Sequence, residues 1–235
     1  MSLFFKHKAK KKRPAIFFDL VGTLLDVAQP VGEVYCKILN EFGIDSDPRV
    51  LQKHFNEVFN ATKIRPKGTI PKDGQDKDFW MKLVRTVLEK SGINTNSFSF
   101  ASYFEKLYSY YARKEAWLPY PEVFNALQRI SELQFPLFVA SNWDNRAKTV
   151  LRQWGMAHFF AGIYLSAELG ASKPMALFYE SILLRTNSYW ESLFFVEDDP
   201  QMQPPFYPGI YVYLLKRPEK NLFDFLYQLQ RYGID

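Results

Sequence analysis

Asp19 is the residue with the clearest capacity for chemistry in this chain. It directly follows the apolar run 15–18, and a Gly22-Thr23 pair comes soon after it. A carboxylate at the end of a buried strand can act as a covalent nucleophile, and a nearby glycine lets the backbone turn around a bound anion. An acid is missing two residues after Asp19, where Val21 stands. Taken alone, the pattern also suits an ordinary turn after a strand.

Three further groups of polar residues follow predicted strands or lie between them. Because the carboxyl ends of parallel strands converge on one edge of a sheet, side chains placed there can meet in one crevice. Each group alone has a simpler explanation, such as a helix N-cap or a solvated lysine. Chance accounts far less well for their order and placement together. The groups are Ser141-Asn142, Lys173 in a Ser-Lys-Pro loop, and Glu197-Asp198-Asp199.

The spacing of apolar residues predicts the elements that position these side chains. Strands are predicted at 15–18, 135–140, 162–165, 193–196 and 210–215. Helices are predicted at 31–42, 50–62, 79–90, 101–114, 122–133, 145–155, 175–185 and 221–232, with a loop at 65–78. After residue 119, strands alternate with helices, and this alternation indicates a parallel sheet with helices on both faces.

The predicted fold class is therefore α/β, with a doubly wound, Rossmann-like parallel-sheet core and an inserted helical-bundle cap. The predicted domains are a basic N-terminal arm at 1–14, a core formed by 15–27 and 116–235, and a helical cap at 28–115.

The composition is that of a packed globular protein, with 47% hydrophobic residues in 235. No apolar run approaches the ~20 residues of a membrane span, so no membrane insertion is expected. The single cysteine, Cys36, and the absence of an apolar leader predict a cytoplasmic location. Six basic residues between positions 6 and 13 explain the net charge of +5. We interpret them as a solvated arm, with nucleic acid or an anionic surface as the alternative partner.

In combination, these motifs resemble the haloacid dehalogenase superfamily, in particular its members with a small helical cap inserted straight after the first motif. The resemblance covers about residues 15 to 230. Two further stretches, 30–35 and Phe79-Trp80, look similar to the rhythmically-expressed-gene-two-like subgroup. The matching motifs, in order, are Asp19-Leu20-Val21-Gly22-Thr23, Ser141-Asn142, Lys173 and Asp198-Asp199.

The resemblance implies a phosphatase-type hydrolase that acts on a small phosphorylated metabolite. Asp19 would attack the phosphorus and become an aspartyl phosphate, and the cap would exclude water and choose the leaving group. The phosphoryl oxygens would be held by Thr23, Ser141, the amide of Asn142 and Lys173.

The resemblance also implies Mg²⁺ as the cofactor, which requires hard oxygen ligands. The ion would lie between Asp19, the backbone carbonyl of Val21 and Asp198. Asp199 would lie close by or be reached through water.

Two residues depart from the superfamily pattern. Phosphatases of the superfamily usually carry an acid at the position of Val21, and valine can neither protonate a leaving group nor activate water. General acid–base catalysis contributes roughly 10²–10⁴-fold, so turnover is expected to be slow. Glu197 stands where a small residue is usual, and its carboxylate would crowd the site or add a ligand.

Three alternatives remain open at this stage. A metal-free 2-haloacid dehalogenase also lacks the second acid, but three clustered acids favour binding of a cation over release of an anion. A phosphonate hydrolase would need a Schiff-base lysine, for which Lys37 or Lys53 would serve. A catalytically degenerate binding protein would retain the fold without turnover.

Other polar and aromatic residues are predicted to have structural roles. Arg146 is expected at the surface, after a helix start at Asp144. The aromatic residues Phe104, Tyr108, Tyr110, Tyr111, Trp80 and Trp117 are expected to form core packing rather than to line a pocket.

Overall fold

The computed structural model describes residues 15–62, 75–186, 193–205 and 209–231. The predicted basic arm and most of the predicted loop at 65–78 lie outside these ranges. The strands are β1 (Ala15–Phe18), β2 (Leu25–Val27), β3 (Trp117–Pro119), β4 (Leu137–Ser141), β5 (Gly162–Leu165), β6 (Leu193–Glu197) and β7 (Ile210–Leu214). The helices are α1 (Val31–Asn40), α2 (Pro48–Thr62), α3 (Gln75–Lys90), α4 (Phe100–Tyr110), α5 (Val123–Glu132), α6 (Arg146–Gln153), α7 (Ser166–Leu169), α8 (Ala176–Arg185) and α9 (Leu222–Arg231).

Five parallel strands form the central sheet in the order β5-β4-β1-β6-β7. Every residue of β1, β4 and β6 is buried, which is why these strands read as continuous apolar runs rather than alternating ones. Phe18 at the end of β1 pairs with Val139 on one side and Val196 on the other. The three strands therefore end at the same edge, and the α/β fold class predicted from the sequence is confirmed.

Successive residues of β1 point to opposite faces of the sheet, as the period of a strand requires. Ile16 and Phe18 belong to a hydrophobic cluster that includes helices α5, α6 and α9. Ala15 and Phe17 belong to a second cluster that includes helix α8. The sheet is therefore covered by helices on both faces, which holds the strand ends rigidly.

Helices α1 to α4 lie between β2 and β3 and form a third hydrophobic cluster of their own. We call residues 28–115 the helical insert. Gly32 lies where α1 crosses α2, and a Cβ atom there would come within 2.1 Å of the carbonyl oxygen of Pro48. A glycine is needed at this crossing because the two backbones approach closely. That the insert is a separate cap domain with the bounds given above stays a prediction.

Two helix boundaries in the insert differ by four residues from those predicted, and the other boundaries differ by two residues or fewer. Helix α3 begins at Gln75, inside the predicted loop, with Asp76 and Asp78 in its first turn. Acidic side chains stabilise a helix N-terminus, and this signal was overlooked. Helix α4 ends at Tyr110 rather than at 114, because Arg113 is in an extended conformation.

A short antiparallel ribbon of β2 and β3 links the helical insert to the sheet, and the sequence analysis missed it. Val27 pairs with Trp117, and Leu25 pairs with Pro119. Three residues per strand are too few for an alternating pattern to be recognised. The ribbon places the start and the end of the insert side by side above the carboxyl edge of the sheet.

Within the described ranges, none of the helices has the length and apolar character needed to cross a membrane.

Candidate active site

Lys173 lies between two carboxylates at the carboxyl edge of the sheet. Its Nζ is 2.6 Å from Oδ1 of Asp19 and also contacts Oε1 of Glu197. The lysine and Glu197 are almost fully buried, and Asp19 is 9% exposed. Burial by itself lowers the pKa of Lys173, but the charges of Asp19 and Glu197 outweigh it and hold the pKa above its usual value. The ammonium is therefore firmly protonated.

One lysine does not balance the acids that surround it. Carboxylate oxygens of Asp19, Glu197 and Asp198 all lie within 4.8 Å of one another. Burial raises the pKa of Glu197 well above its usual value, and attraction to Lys173 offsets this only in part. Loss of hydration, reinforced by the charge of Asp19, raises the pKa of Asp198 to about 6. Three acids and one lysine, if all ionised, carry a formal charge of −2, so the cluster favours a cation.

The turn after β1 brings this strand end against the end of β6. Gly22 has a φ of +90°, and a Cβ atom on it would lie 2.1 Å from Oδ2 of Asp198. Only glycine fits both the backbone angle and the space. Thr23 is fully buried and donates a hydrogen bond from Oγ1 to Oδ1 of Asp198, at 3.2 Å. The Gly-Thr pair thus fixes the position of the Asp198 carboxylate.

The remaining predicted site residues also lie at this edge. Ser141 is buried at the end of β4. The side-chain amide of Asn142 donates a hydrogen bond to the carbonyl oxygen of Lys173, at 2.9 Å, and accepts one from the backbone amide of Lys173, at 2.7 Å. These two hydrogen bonds fix the position of the loop that carries Lys173. Oδ1 of Asp199 accepts from the amide of Gln201 at 2.9 Å.

A cavity of about 590 Å³ opens above the carboxylates, between the sheet edge and the helical insert. All the predicted site residues except Thr23 line it, namely Asp19, Val21, Ser141, Asn142, Lys173, Asp198 and Asp199. Val21 is 39% exposed. Pockets of this size bind small organic molecules.

A sequence-level match to a family profile agrees with this site. The profile of the haloacid dehalogenase-like hydrolases matches residues 14–201, most of the chain. The chain belongs to the haloacid dehalogenase-like hydrolase family. The family resemblance proposed from the motifs is confirmed, and so is the prediction of a hydrolase; the finer assignment to a subgroup stays a prediction.

The names of similar curated proteins give their family and not a substrate. It is 25% identical over 171 residues to haloacid dehalogenase-like hydrolase domain-containing protein 3 of Xenopus laevis, which covers 72% of this chain and 70% of the relative. It is 27% identical over 166 residues to an uncharacterised hydrolase of Schizosaccharomyces pombe, with 70% of each chain covered.

Solved structures with the same fold include both dehalogenases and phosphatases. The HAD-hydrolase YfnB of Bacillus subtilis, bound to magnesium, aligns with a TM-score of 0.63 at 15% identity, over 93% of this chain and 99% of that one. A HAD phosphatase from Thermococcus onnurineus aligns with a TM-score of 0.57 at 15% identity, over 92% and 97%. The L-2-haloacid dehalogenase of Xanthobacter autotrophicus aligns with a TM-score of 0.62 at 14% identity, over 94% and 84%. At these identities the likeness concerns the fold.

The interpretation of Arg146 as a surface residue was wrong. Its side chain is only 11% exposed, pairs with Asp144 at 2.8 Å and lines the cavity. The guanidinium carbon lies 3.7 Å from the ring centre of Tyr108, whose hydroxyl donates to the same aspartate at 3.0 Å. The sequence places Asp144 and Arg146 in one turn, but the partner ring comes from the helical insert.

Several aromatic residues of the insert both pack in its hydrophobic core and line the cavity. Phe104, Tyr108 and Tyr111 belong to or pack against the hydrophobic core of the insert, as expected, and they also line the cavity. Trp80 and Trp117 line it too. The expectation that these rings have only a packing role was therefore wrong. A helix that covers a site contributes side chains both to the hydrophobic core behind it and to the wall of the cavity.

Arg217 is a site-supporting residue that the sequence analysis missed. Its guanidinium donates to the carbonyl oxygens of Gly22 and Thr23, each at 2.7 Å, and pairs with Glu122 at 2.9 Å. It also stacks on Tyr120, 3.7 Å from the ring centre. Arg217 follows the end of β7, so the rule that located Asp19 would have located it.

Replacing Arg217 with methionine should lower the free energy of unfolding by about 2–4 kcal/mol, because two charged hydrogen bonds and a largely buried ion pair are lost. Arg217→Lys should recover only part of this, since lysine lacks the forked donor geometry. Denaturant unfolding measures both effects. Lys216→Met, at the exposed neighbouring position, is the matched control and should change little. Equal stability of the two methionine variants would contradict the role of Arg217.

Proposed function

We propose that this protein is a Mg²⁺-dependent phosphatase-type hydrolase of a small phosphorylated metabolite, acting through an aspartyl phosphate on Asp19. The observation that carries the proposal is the group formed by the buried Asp19, Lys173 and Glu197 and the exposed Asp198, which lies beneath a cavity. Phosphoryl transfer depends mainly on positioning and on neutralising charge, and this group provides both.

The protein's own residues supply the nucleophile and the anion contacts. Asp19 lies at the cavity floor, and the amide of the same residue is held by the carbonyl oxygen of Val196 at 2.9 Å, so the carboxylate is fixed in place. Lys173 would stabilise the negative charge that develops on the phosphoryl oxygens. Ser141 and the amide of Asn142 would hold those oxygens, each positioned at the end of β4. Thr23, predicted as a third contact, does not line the cavity and donates its hydroxyl to Asp198, so its role would be to hold that carboxylate.

The donor set fits Mg²⁺. The ion prefers carboxylate and carbonyl oxygens, and the acidic cluster has an uncompensated formal charge that a divalent cation would cancel. Asp19, the Val21 carbonyl and Asp198 would hold it, with Asp199 reached through water. When bound, Mg²⁺ neutralises charge on the transferring phosphoryl group. Glu197 lies within reach of the same position, but its contact with Lys173 assigns it mainly to holding that lysine.

The alternatives predicted from the sequence have less support. Lys37 and Lys53, the candidates for a Schiff-base lysine, are exposed and are not among the residues that line the cavity. A dehalogenase needs a cation for the substrate carboxylate, and the cavity does contain Arg146. That guanidinium, however, is already paired with Asp144.

The test of the proposal is phosphate release from a panel of phosphorylated metabolites and acyl phosphates, with Mg²⁺ and with chelator. Release that stops on chelation supports the proposal. Halide release from 2-haloacids that persists in chelator would establish the dehalogenase instead. Absence of both activities would support a degenerate binding protein.

Mg²⁺ should also stabilise the fold without any substrate. At about 100-fold over the dissociation constant, a bound ion adds about 2.7 kcal/mol, which corresponds to a rise in Tm of about 5–10 °C in a chain of this size. Differential scanning calorimetry with and without Mg²⁺ measures the shift. Asp198→Asn should remove most of it, while Asp45→Asn, an exposed position, should not. A shift that survives in Asp198→Asn would exclude Asp198 as a ligand.

A further inference from the structure

The wall of the cavity that faces the sheet edge is strongly aromatic. Ten aromatic residues line the cavity, and seven of them lie on helices α1 to α4. Phe59 stacks between Phe55, at 5.5 Å between ring centres, and Trp80, at 6.1 Å, with interplanar angles of 11° and 14°. All three rings are only partly buried. They form a nearly parallel stack of rings that lines the cavity.

Several polar groups on the same wall are already paired with one another, although the buried hydroxyl of Tyr111 has no hydrogen-bond partner. Among the described residues of the helical insert that line the cavity, none carries a charge. Gln52 accepts from the amide of Gly32 at 2.9 Å and donates to Asn56 at 2.9 Å. Tyr108 donates to Asp144, and Arg146 is neutralised by the same aspartate. The wall is therefore better suited to an apolar ring than to a sugar or another polyhydroxylated leaving group, which needs many unpaired donors and acceptors.

The described part of the cavity also offers no available acid beside the leaving group. Val21 contributes a hydrocarbon side chain next to Asp19. Glu197 is held by Lys173, and Asp199 accepts from the amide of Gln201. Asp26 accepts from Val27 and Tyr120. Asp198 accepts from Thr23 and is the proposed ligand of Mg²⁺. A leaving oxygen here departs as an anion. A phenolic oxygen, with a pKa near 10 as in tyrosine, departs far more readily than an alkyl oxygen, whose pKa is near that of water at ~16.

From these two independent features, and resting on the phosphatase function proposed above, we propose that the substrate is the phosphate monoester of a phenol or a related aromatic hydroxyl compound. Its ring packs against Phe55, Phe59 and Trp80, and its phosphoryl group lies on the charged floor. Aromatic pairs of this kind add about 0.5–1.5 kcal/mol beyond the area they bury, an advantage that a saturated ring lacks.

The reaction proceeds in two steps. A carboxylate oxygen of Asp19 bonds to phosphorus, and the phosphorus–oxygen bond to the ring breaks. The phenolate leaves with the electron pair and takes a proton from water. A second water then attacks the phosphorus of the aspartyl phosphate, the bond to Asp19 breaks and the carboxylate is restored. Phosphate is released, and the proton lost by the attacking water neutralises the hydroxide left by the first step.

The experiment compares four phosphate esters of defined chemistry in the presence of Mg²⁺: 2-naphthyl, phenyl, cyclohexyl and glycerol 3-phosphate. We expect kcat/KM for the two aryl esters to exceed that for the other two by at least about 10²-fold, the lower bound of a general-acid contribution. We also expect a burst of phenol, stoichiometric with enzyme, because hydrolysis of the aspartyl phosphate lacks a base. Equal or higher kcat/KM for glycerol 3-phosphate would overturn the substrate class and leave the phosphatase function intact. No release from any ester, with none from the metabolite panel, would reject both.

Two variants separate the two features. Val21→Asp should raise kcat/KM for cyclohexyl and glycerol 3-phosphate by about 10²-fold or more and change that for phenyl phosphate far less. Trp80→Leu should raise KM for 2-naphthyl phosphate about tenfold, with a much smaller effect on glycerol 3-phosphate and little change in kcat. Equal loss on both substrates in Trp80→Leu would contradict ring recognition, and circular dichroism checks that this variant is folded. A parallel rise for all esters in Val21→Asp would contradict the leaving-group argument.

Discussion

Replacing Asp19 with asparagine should abolish phosphate release, with a loss on the order of 10⁴-fold or more, because an amide does not form the aspartyl phosphate. The fold should tolerate the change. Asparagine has the same shape, and the substitution removes one negative charge from a cluster that carries an excess of them. Phosphate release and thermal unfolding, measured side by side, check both expectations.

The companion variant for Asp19→Asn is Asp26→Asn, a change of the same kind at an exposed position on the rim of the same cavity. It should retain most of the activity. Comparable activity of Asp19→Asn and the wild type would exclude Asp19 as the nucleophile. It would favour direct attack of water on the phosphorus.

Lys173 should have a large effect on both stability and activity. Lys173→Met leaves Asp19 and Glu197 buried without the cation that both contact, and breaking a buried pair in this way costs about 3–5 kcal/mol of the free energy of unfolding. Loss of a preorganised charge at the phosphoryl group should also reduce kcat by about 10²–10³-fold. Denaturant unfolding and steady-state kinetics measure the two effects separately.

A double variant distinguishes the structural from the chemical role of Lys173. In Lys173→Met/Glu197→Gln the uncompensated Glu197 charge is gone, so much of the lost stability should return. Activity should not return, because the cation is still absent. Recovery of activity together with stability would show that Lys173 acts only by keeping the site folded.

The strands and the polar motifs that follow them could be predicted from the sequence for the same reason. Strands β1, β4 and β6 are buried on both faces, so they are continuous apolar runs that stop where the chain turns into solvent or into a site. A polar residue just after such a run lies at the carboxyl edge of the sheet, because parallel strands all end at that edge. This rule, applied to the end of β7, would also have found Arg217.

The contacts made by Asn142, Thr23 and Glu197 could not be predicted from the sequence in this way. Each of the three bonds to a residue far away in sequence: Asn142 to Lys173, Thr23 to Asp198, and Glu197 to Lys173. Their residue types are compatible with several roles, and only the pairing of strands in space selects one.

The sequence by itself determined the fold class, the family and the set of polar residues at the sheet edge, because local periodicity and position after a strand carry that information. The tertiary structure decided the rest. It placed one lysine between two acids, gave the turn after β1 its clamp from Arg217 and turned an aromatic helix face into the wall of a cavity. The last of these features depends on the helical insert folding back over the sheet through the ribbon of β2 and β3, whose three-residue strands leave no periodic signal. Such long-range packing is what decides which side chains meet, and in this protein it is also what selects the substrate we propose.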